Sequence, residues 1–93
     1  MQADEKDLRH RTKEFALQII RLFSELPKTT EAQLLGKQVL RSGTSVGANY
    51  RAACRAKSPA DFIHKMGTVE EEADEVGYWL ELLEKTNLVE AVV

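Results

Sequence analysis

Lys37, Arg41, Arg51 and Arg55 step along the middle of the chain, with Thr44 and Ala48 between them, at intervals of four, three, four, three and four. On a helix that spacing gathers them into one narrow basic stripe, kept uncluttered by the small residues. Guanidinium groups match phosphate oxygens bidentately, so the chemistry on offer is contact with a nucleic-acid backbone. The same cations can pair with carboxylates or stand in water, and the stripe has no interleaved aromatics for stacking on bases. Sequence alone leaves both readings open.

The other reactive side chains do not assemble into a reaction centre. "EEEADE", residues 70–75, invites a metal, because helical bundles hold metal pairs with glutamates and Glu-x-x-His motifs. No Glu-x-x-His is present, and His10 and His64 are isolated, so no metal is expected. Glu70, Asp74 and Glu81 share one edge of a helix and read as ion-pair partners. "GTSVGANY" lacks both the lysine and the preceding strand of a phosphate-cradling Walker loop. Cys54 has no histidine nearby in sequence to activate it and reads as a small buried thiol. Without a coherent acid, base, nucleophile or metal set, the chain is not expected to be an enzyme or to need a cofactor.

The elements that must position these residues are helices. Only two prolines occur, Pro27 and Pro59, each where helical periodicity breaks. Leu8, Phe15, Ile19, Leu22 and Leu26 form one stripe and predict a first helix over about 7–26. Thr30 with Gln33 three residues on fits a capping box opening a second helix over about 30–56. Ser58 as cap, Pro59 in the first helical position and Asp61 in the first turn predict a third helix over 59–86, with Phe62, Met66, Val69, Ala73, Val76, Leu80 and Leu83 on one face. A short fourth helix is expected over 88–93. No strand-like alternation bounded by hairpin signals appears.

Within the second helix, Leu35, Val39, Val46, Tyr50 and Ala53 cluster on one face. Gly36, Gly43, Gly47 and Cys54 line up beside them at spacings of seven, four and seven. Each glycine costs a helix about 1 kcal/mol relative to alanine, so the seam implies close approach of another helix, within the chain or across an oligomer interface. Ser45 and Asn49, with Ser42, weaken a helix interior unless they bond back to carbonyls or across an interface. Tyr78 and Trp79 flank the third helix's apolar face and suit half-buried or interface positions.

The totals agree with a small self-associating protein. A chain of 93 residues makes one domain, 1–93, and one this small often needs stabilisation from outside its own core. A single cysteine excludes an internal disulfide, and no apolar run or cleavable leader suggests a membrane or export, so a cytoplasmic setting is expected. Thirteen Lys and Arg against fifteen Asp and Glu predict no global attraction to nucleic acid, but the acids crowd the C-terminal third. The fold expected is all-α, an antiparallel up-down helical bundle with three long helices and a short or truncated fourth.

The stretch "LRSGTSVGANYRAACRAKSPADFIHKMGTVEEEADEVGYWLELL" resembles the signature region of the bacterial four-helix-bundle proteins. That family includes proteins encoded in intervening sequences of large-subunit ribosomal RNA genes and the accessory variability proteins of diversity-generating retroelements. The resemblance runs from Phe15 to Leu88 and rests on Arg41, Ser45 and Asn49 at intervals of four, followed by Lys57, Ser58 and Phe62. Many members read Ala-Asn-Ile-Ala-Glu-Gly where this chain has Ala48, Asn49, Tyr50, Arg51, Ala52 and Ala53, and members continue into a full fourth helix. The resemblance implies a homo-oligomer, a pentameric ring with a basic channel or face. For the retroelement relatives it also implies partners: RNA or DNA and a reverse transcriptase.

Overall fold

A computed structural model describes residues 2–86, with side chains from residue 7 onward. It contains three helices, α1 (Gln2–Ser24), α2 (Thr30–Cys54) and α3 (Pro59–Lys85), and no strand among the described residues. The fourth helix expected over 88–93 lies outside the described residues.

The helix ends follow from local chemistry and correct several expected boundaries. α1 starts at Gln2, ahead of the expected 7, because "QADEKD" supplies helix-favouring residues with acids near the positive end of the helix dipole. It stops at Ser24, not at residue 26. Glu25 and Leu26 instead close tighter turns onto the Leu22 and Phe23 carbonyls at 3.1 and 3.2 Å, and Pro27, lacking an N–H, cannot extend the ladder. α2 is capped by Thr29 and not by Thr30. Thr29 has extended backbone, and its hydroxyl accepts from the Ala32 N–H at 3.3 Å. The expected capping box does not form, since Gln33 sends its side-chain amide to the Pro27 carbonyl at 2.9 Å. This start puts Glu31 in the first turn. There its own backbone N–H, and then the Thr29 side chain, hold its carboxyl below the usual glutamate range.

α2 ends at Cys54, two residues before the expected 56, and α3 ends at Lys85. A residue before proline is pushed out of the helical region, and Ser58 is extended (φ −158°, ψ 162°), so the chain unwinds ahead of it. Ser58 then caps α3 as the sequence predicts, its hydroxyl accepting from the Asp61 N–H at 3.0 Å. The Asp61 carboxylate reaches back to the Lys57 N–H at 3.2 Å and receives the Lys65 ammonium at 2.6 Å. Lys65 first, and the Lys57 N–H second, hold the Asp61 carboxyl below the usual aspartate range.

α2 is the shared element. α1 and α3 each pack along it, and no Cα of α1 comes within 8 Å of α3 among the described residues. Gly36, Gly43 and Gly47 meet successively earlier parts of α1, so the two helices run antiparallel. α3 returns antiparallel to α2, with Arg41 beside Glu72 and Glu75 and Cys54 beside Phe62. Ile19, Leu26, Ala32, Val39, Val46, Val76 and Leu83 form the buried core, and Phe15, Leu22, Leu35, Val69 and Leu80 pack against it. The apolar stripe of α3 sinks only in its second half. Val76 and Leu83 are buried, whereas Phe62 and Ala73 remain exposed.

Candidate functional site

The glycine seam of α2 lies under α1. A Cβ on Gly36 would run into Leu26 and Phe23, and one on Gly43 would stand 2.9 Å from Ile19 Cγ1. One on Gly47 would stand 3.0 Å from Thr12 Oγ1 and 3.5 Å from the Thr12 carbonyl carbon. Thr12 fills the single gap in the apolar stripe of α1. Its hydroxyl, the atom nearest Gly47, donates to the Leu8 carbonyl at 2.8 Å, so it packs against α2 without becoming an orphaned polar group. The small residues therefore serve helix–helix approach within the chain.

The short polar residues of α2 are spent on the helix itself. Ser42, fully buried, donates to the Gln38 carbonyl at 2.7 Å, Ser45 to that of Arg41 at 2.8 Å, and Thr44 to that of Leu40 at 2.8 Å. Asn49 donates its amide to the Ser45 carbonyl at 2.9 Å. This back-bonding satisfies each side chain beside the core.

Close packing of α1 brings a further cation, Lys13, beside the stripe. Lys13, Thr12 and Ala16 of α1 face Thr44, Gly47 and Arg51 of α2 across an open groove of about 400 Å³. Lys37, Arg51 and Arg55 are exposed, and so is Ala48 between them. Arg41 is committed elsewhere. Its Nη1 donates to Glu72 Oε1 at 3.4 Å, its Nη2 forms an ion pair with Glu75 Oε1, and its Nε donates to Gln38 Oε1 at 3.3 Å. Glu75 also accepts from the Trp79 indole N–H at 3.2 Å, fastening the half-buried Trp79 into the same α2–α3 clasp. The two readings of the stripe thus divide along it: Arg41 pairs with α3, and Arg51 and Arg55 face solvent. The acidic partners also differ from those expected. Glu72 and Glu75 make the pairs, because they sit one turn before and one residue before the buried Val76, on the flank that α3 turns towards α2. Glu70, Asp74 and Glu81 point outward.

Cys54 is half-buried at one end of the molecule, on the wall of an apolar cavity of about 620 Å³ that also involves Leu8, Tyr50, Phe62, Ile63 and Met66. Tyr78 and Trp79 meet edge to face, with ring centroids 5.0 Å apart and planes at 64°. Tyr78 is 54% exposed. Among the described residues no three His, Cys, Asp or Glu side chains are grouped as a metal would need, and no helix is long and apolar enough to cross a membrane.

Residues 5–92 match the family model of the 23S rRNA-intervening sequence protein. The chain belongs to that family. A crystal structure of a protein of unknown function from the S23 ribosomal protein family of Bacteroides thetaiotaomicron VPI-5482 is similar to this intervening-sequence protein, with 42% identity and a TM-score of 0.85. The similarity covers 91% of this chain and 76% of that one. No curated protein matches. In this family member the groove cation that sequence reasoning missed is Lys13. Nothing in its own helix marks it. Its place opposite Arg51 depends on the register that the glycine seam imposes on α1.

Proposed function

We propose that this intervening-sequence protein is a non-catalytic, self-associating helical-bundle module of the cytoplasm. In this reading it is an adaptor that holds nucleic acid, or a nucleic-acid enzyme such as a reverse transcriptase, on its basic α1–α2 face. In the same reading the three helices form an antiparallel up-down bundle that a short fourth completes. The observation that carries the reading is the open groove with Lys13 on one wall and Arg51 on the other, extended by the exposed Arg55. Small residues at Gly47, Ala48 and Ala16 leave those cations accessible to a phosphate backbone.

The test is retention of RNA or DNA by purified protein across a salt series. Replacing Lys13, Arg51 and Arg55 together by glutamine should weaken binding and flatten its salt dependence by about one unit of log–log slope per lost phosphate contact. Arg41→Ala should leave that slope alone. Unchanged binding in the triple variant ends the nucleic-acid reading. A second reading, a protein-only oligomer whose charged faces satisfy one another, is favoured by the pairing of Arg41 with Glu72 and Glu75. An oligomer that retains no nucleic acid at any salt concentration would select it.

A further inference from the structure

The end of the molecule where α1 begins, α2 ends and α3 begins combines an apolar mouth with a basic surround. Phe62 and Ile63 stand at the cavity's rim, 42% and 70% exposed, and Leu8 adds a third large apolar side chain at 38%. Exposed aliphatic and aromatic groups around a cavity mark an interaction surface more than a solvated one. Residues 7–14 and 48–66, which build this end, carry seven Lys and Arg against three Asp and Glu. Arg55 and Lys57 follow directly on the cavity wall at Cys54, and both are exposed.

The rest of α3 has the opposite character. Residues 67–86 hold seven Asp and Glu against the single Lys85. On their outer side Glu71, Asp74, Tyr78 and Glu81 recur at intervals of three, four and three, all exposed, making one acidic stripe with a tyrosine in the middle. The near-neutral total of the chain is therefore the sum of two opposed halves. Each half shows the other both a charge of opposite sign and an apolar group.

A single copy cannot bring these surfaces together. Phe62 and Tyr78 lie sixteen residues apart on one continuous helix, about 24 Å at the helical rise. We propose that the apolar cavity end of one copy receives the Glu71–Glu81 stripe of α3 from a second copy, with Tyr78 as the anchor and the carboxylates set against the basic rim. The inference rests on the self-association proposed above and adds the surfaces that carry it. Because the two surfaces differ, the contact is heterologous: copies join head to tail, closing a ring or running on. Tyrosine suits the role, having a large apolar body and a hydroxyl that tolerates the wet rim.

Two measurements on the full chain test this. The first is sedimentation of wild type and Ile63→Asp, a position too exposed to matter for folding of one copy. The variant should keep its helical signal and raise the dissociation constant at least roughly tenfold. The second uses native Cys54 as a reporter and spares the Tyr78 anchor: Asp74→Cys, one turn earlier on the same stripe, treated with a short bismaleimide should give covalent dimers and higher species, and Cys54→Ala in the same background should abolish them. If wild type associates but Ile63→Asp associates equally well, or the cross-links persist without Cys54, this interface is wrong while self-association stands. If wild type is a monomer at micromolar concentration, self-association itself fails and the interface with it.

Discussion

Replacing Gly43 by alanine adds one carbon to the face of α2 that α1 covers. In an open helix the change gains about 1 kcal/mol, because alanine has less backbone freedom to lose. Here the new Cβ would stand 2.9 Å from Ile19 Cγ1, 3.0 Å from Cγ2 and 3.3 Å from Cβ. Ile19 is buried, and its β-branched side chain has one strongly preferred rotamer on a helix, so α1 must move back by several tenths of an ångström. Overpacking of this kind costs about 1–3 kcal/mol, leaving a net loss of roughly 0–2 kcal/mol once the propensity gain is subtracted. Gly67 and Gly77 provide the control, since a Cβ on either meets nothing within 4 Å. The same substitution there should stabilise by about 0.5–1 kcal/mol. Denaturant and thermal unfolding followed by far-ultraviolet circular dichroism should separate Gly43→Ala from Gly67→Ala by about 1–3 kcal/mol, a gap of at least ~4 °C in a domain of this size. Gly43→Leu should lose more than Gly43→Ala. A Gly43→Ala protein that melts as high as Gly67→Ala would refute the claim that α1 rests on the seam.

Two further expectations concern the helix starts. Thr29→Ala and Ser58→Ala should each cost about 1 kcal/mol in urea unfolding, whereas Thr30→Ala should be close to neutral because its side chain is not the cap. The reverse order at 29 and 30 would contradict the observed start of α2. Asp61 should make the protein acid-sensitive in a defined direction. Its folded carboxyl is held below the unfolded value by Lys65 and the Lys57 N–H, so its contribution is present above the unfolded pKa and is lost as the pH falls through the folded one. Stability measured from about pH 5 down to about pH 2 should fall more steeply for wild type than for Asp61→Asn, with the two curves converging at the acid end.

Where the chain turns, and most of the faces it buries, could be read from local pattern, though Phe62 and Ala73 of the α3 stripe stay exposed. Pro27 and Pro59 forbid helix continuation wherever they stand, and a Ser-Pro pair with an acid two residues on leaves one sensible helix start, which the structure uses. Two adjacent threonines offered no such choice. Thr29 and Thr30 have the same capping chemistry, and only the geometry of the short connection from Pro27 selects the first. The expected Gln33 interaction failed for the same reason: shifting the cap by one residue leaves Ala32 in the third helical position.

What the sequence by itself determined is the set of three helices, their internal faces and the glycine edge of α2, because periodicity and capping act between residues a few positions apart. The tertiary structure alone decided which partner each side chain meets. Arg41 is bound to Glu72 and Glu75 while Arg51 and Arg55, on the same stripe, face water. Lys13 joins Arg51 across a groove that no single helix displays. Those outcomes depend on how far one helix slides and rotates against another. Register of that kind is set by the summed packing of Ile19 on Gly43, Thr12 on Gly47 and Val76 in the core, contacts between residues 24 or more positions apart that leave no local repeat to read.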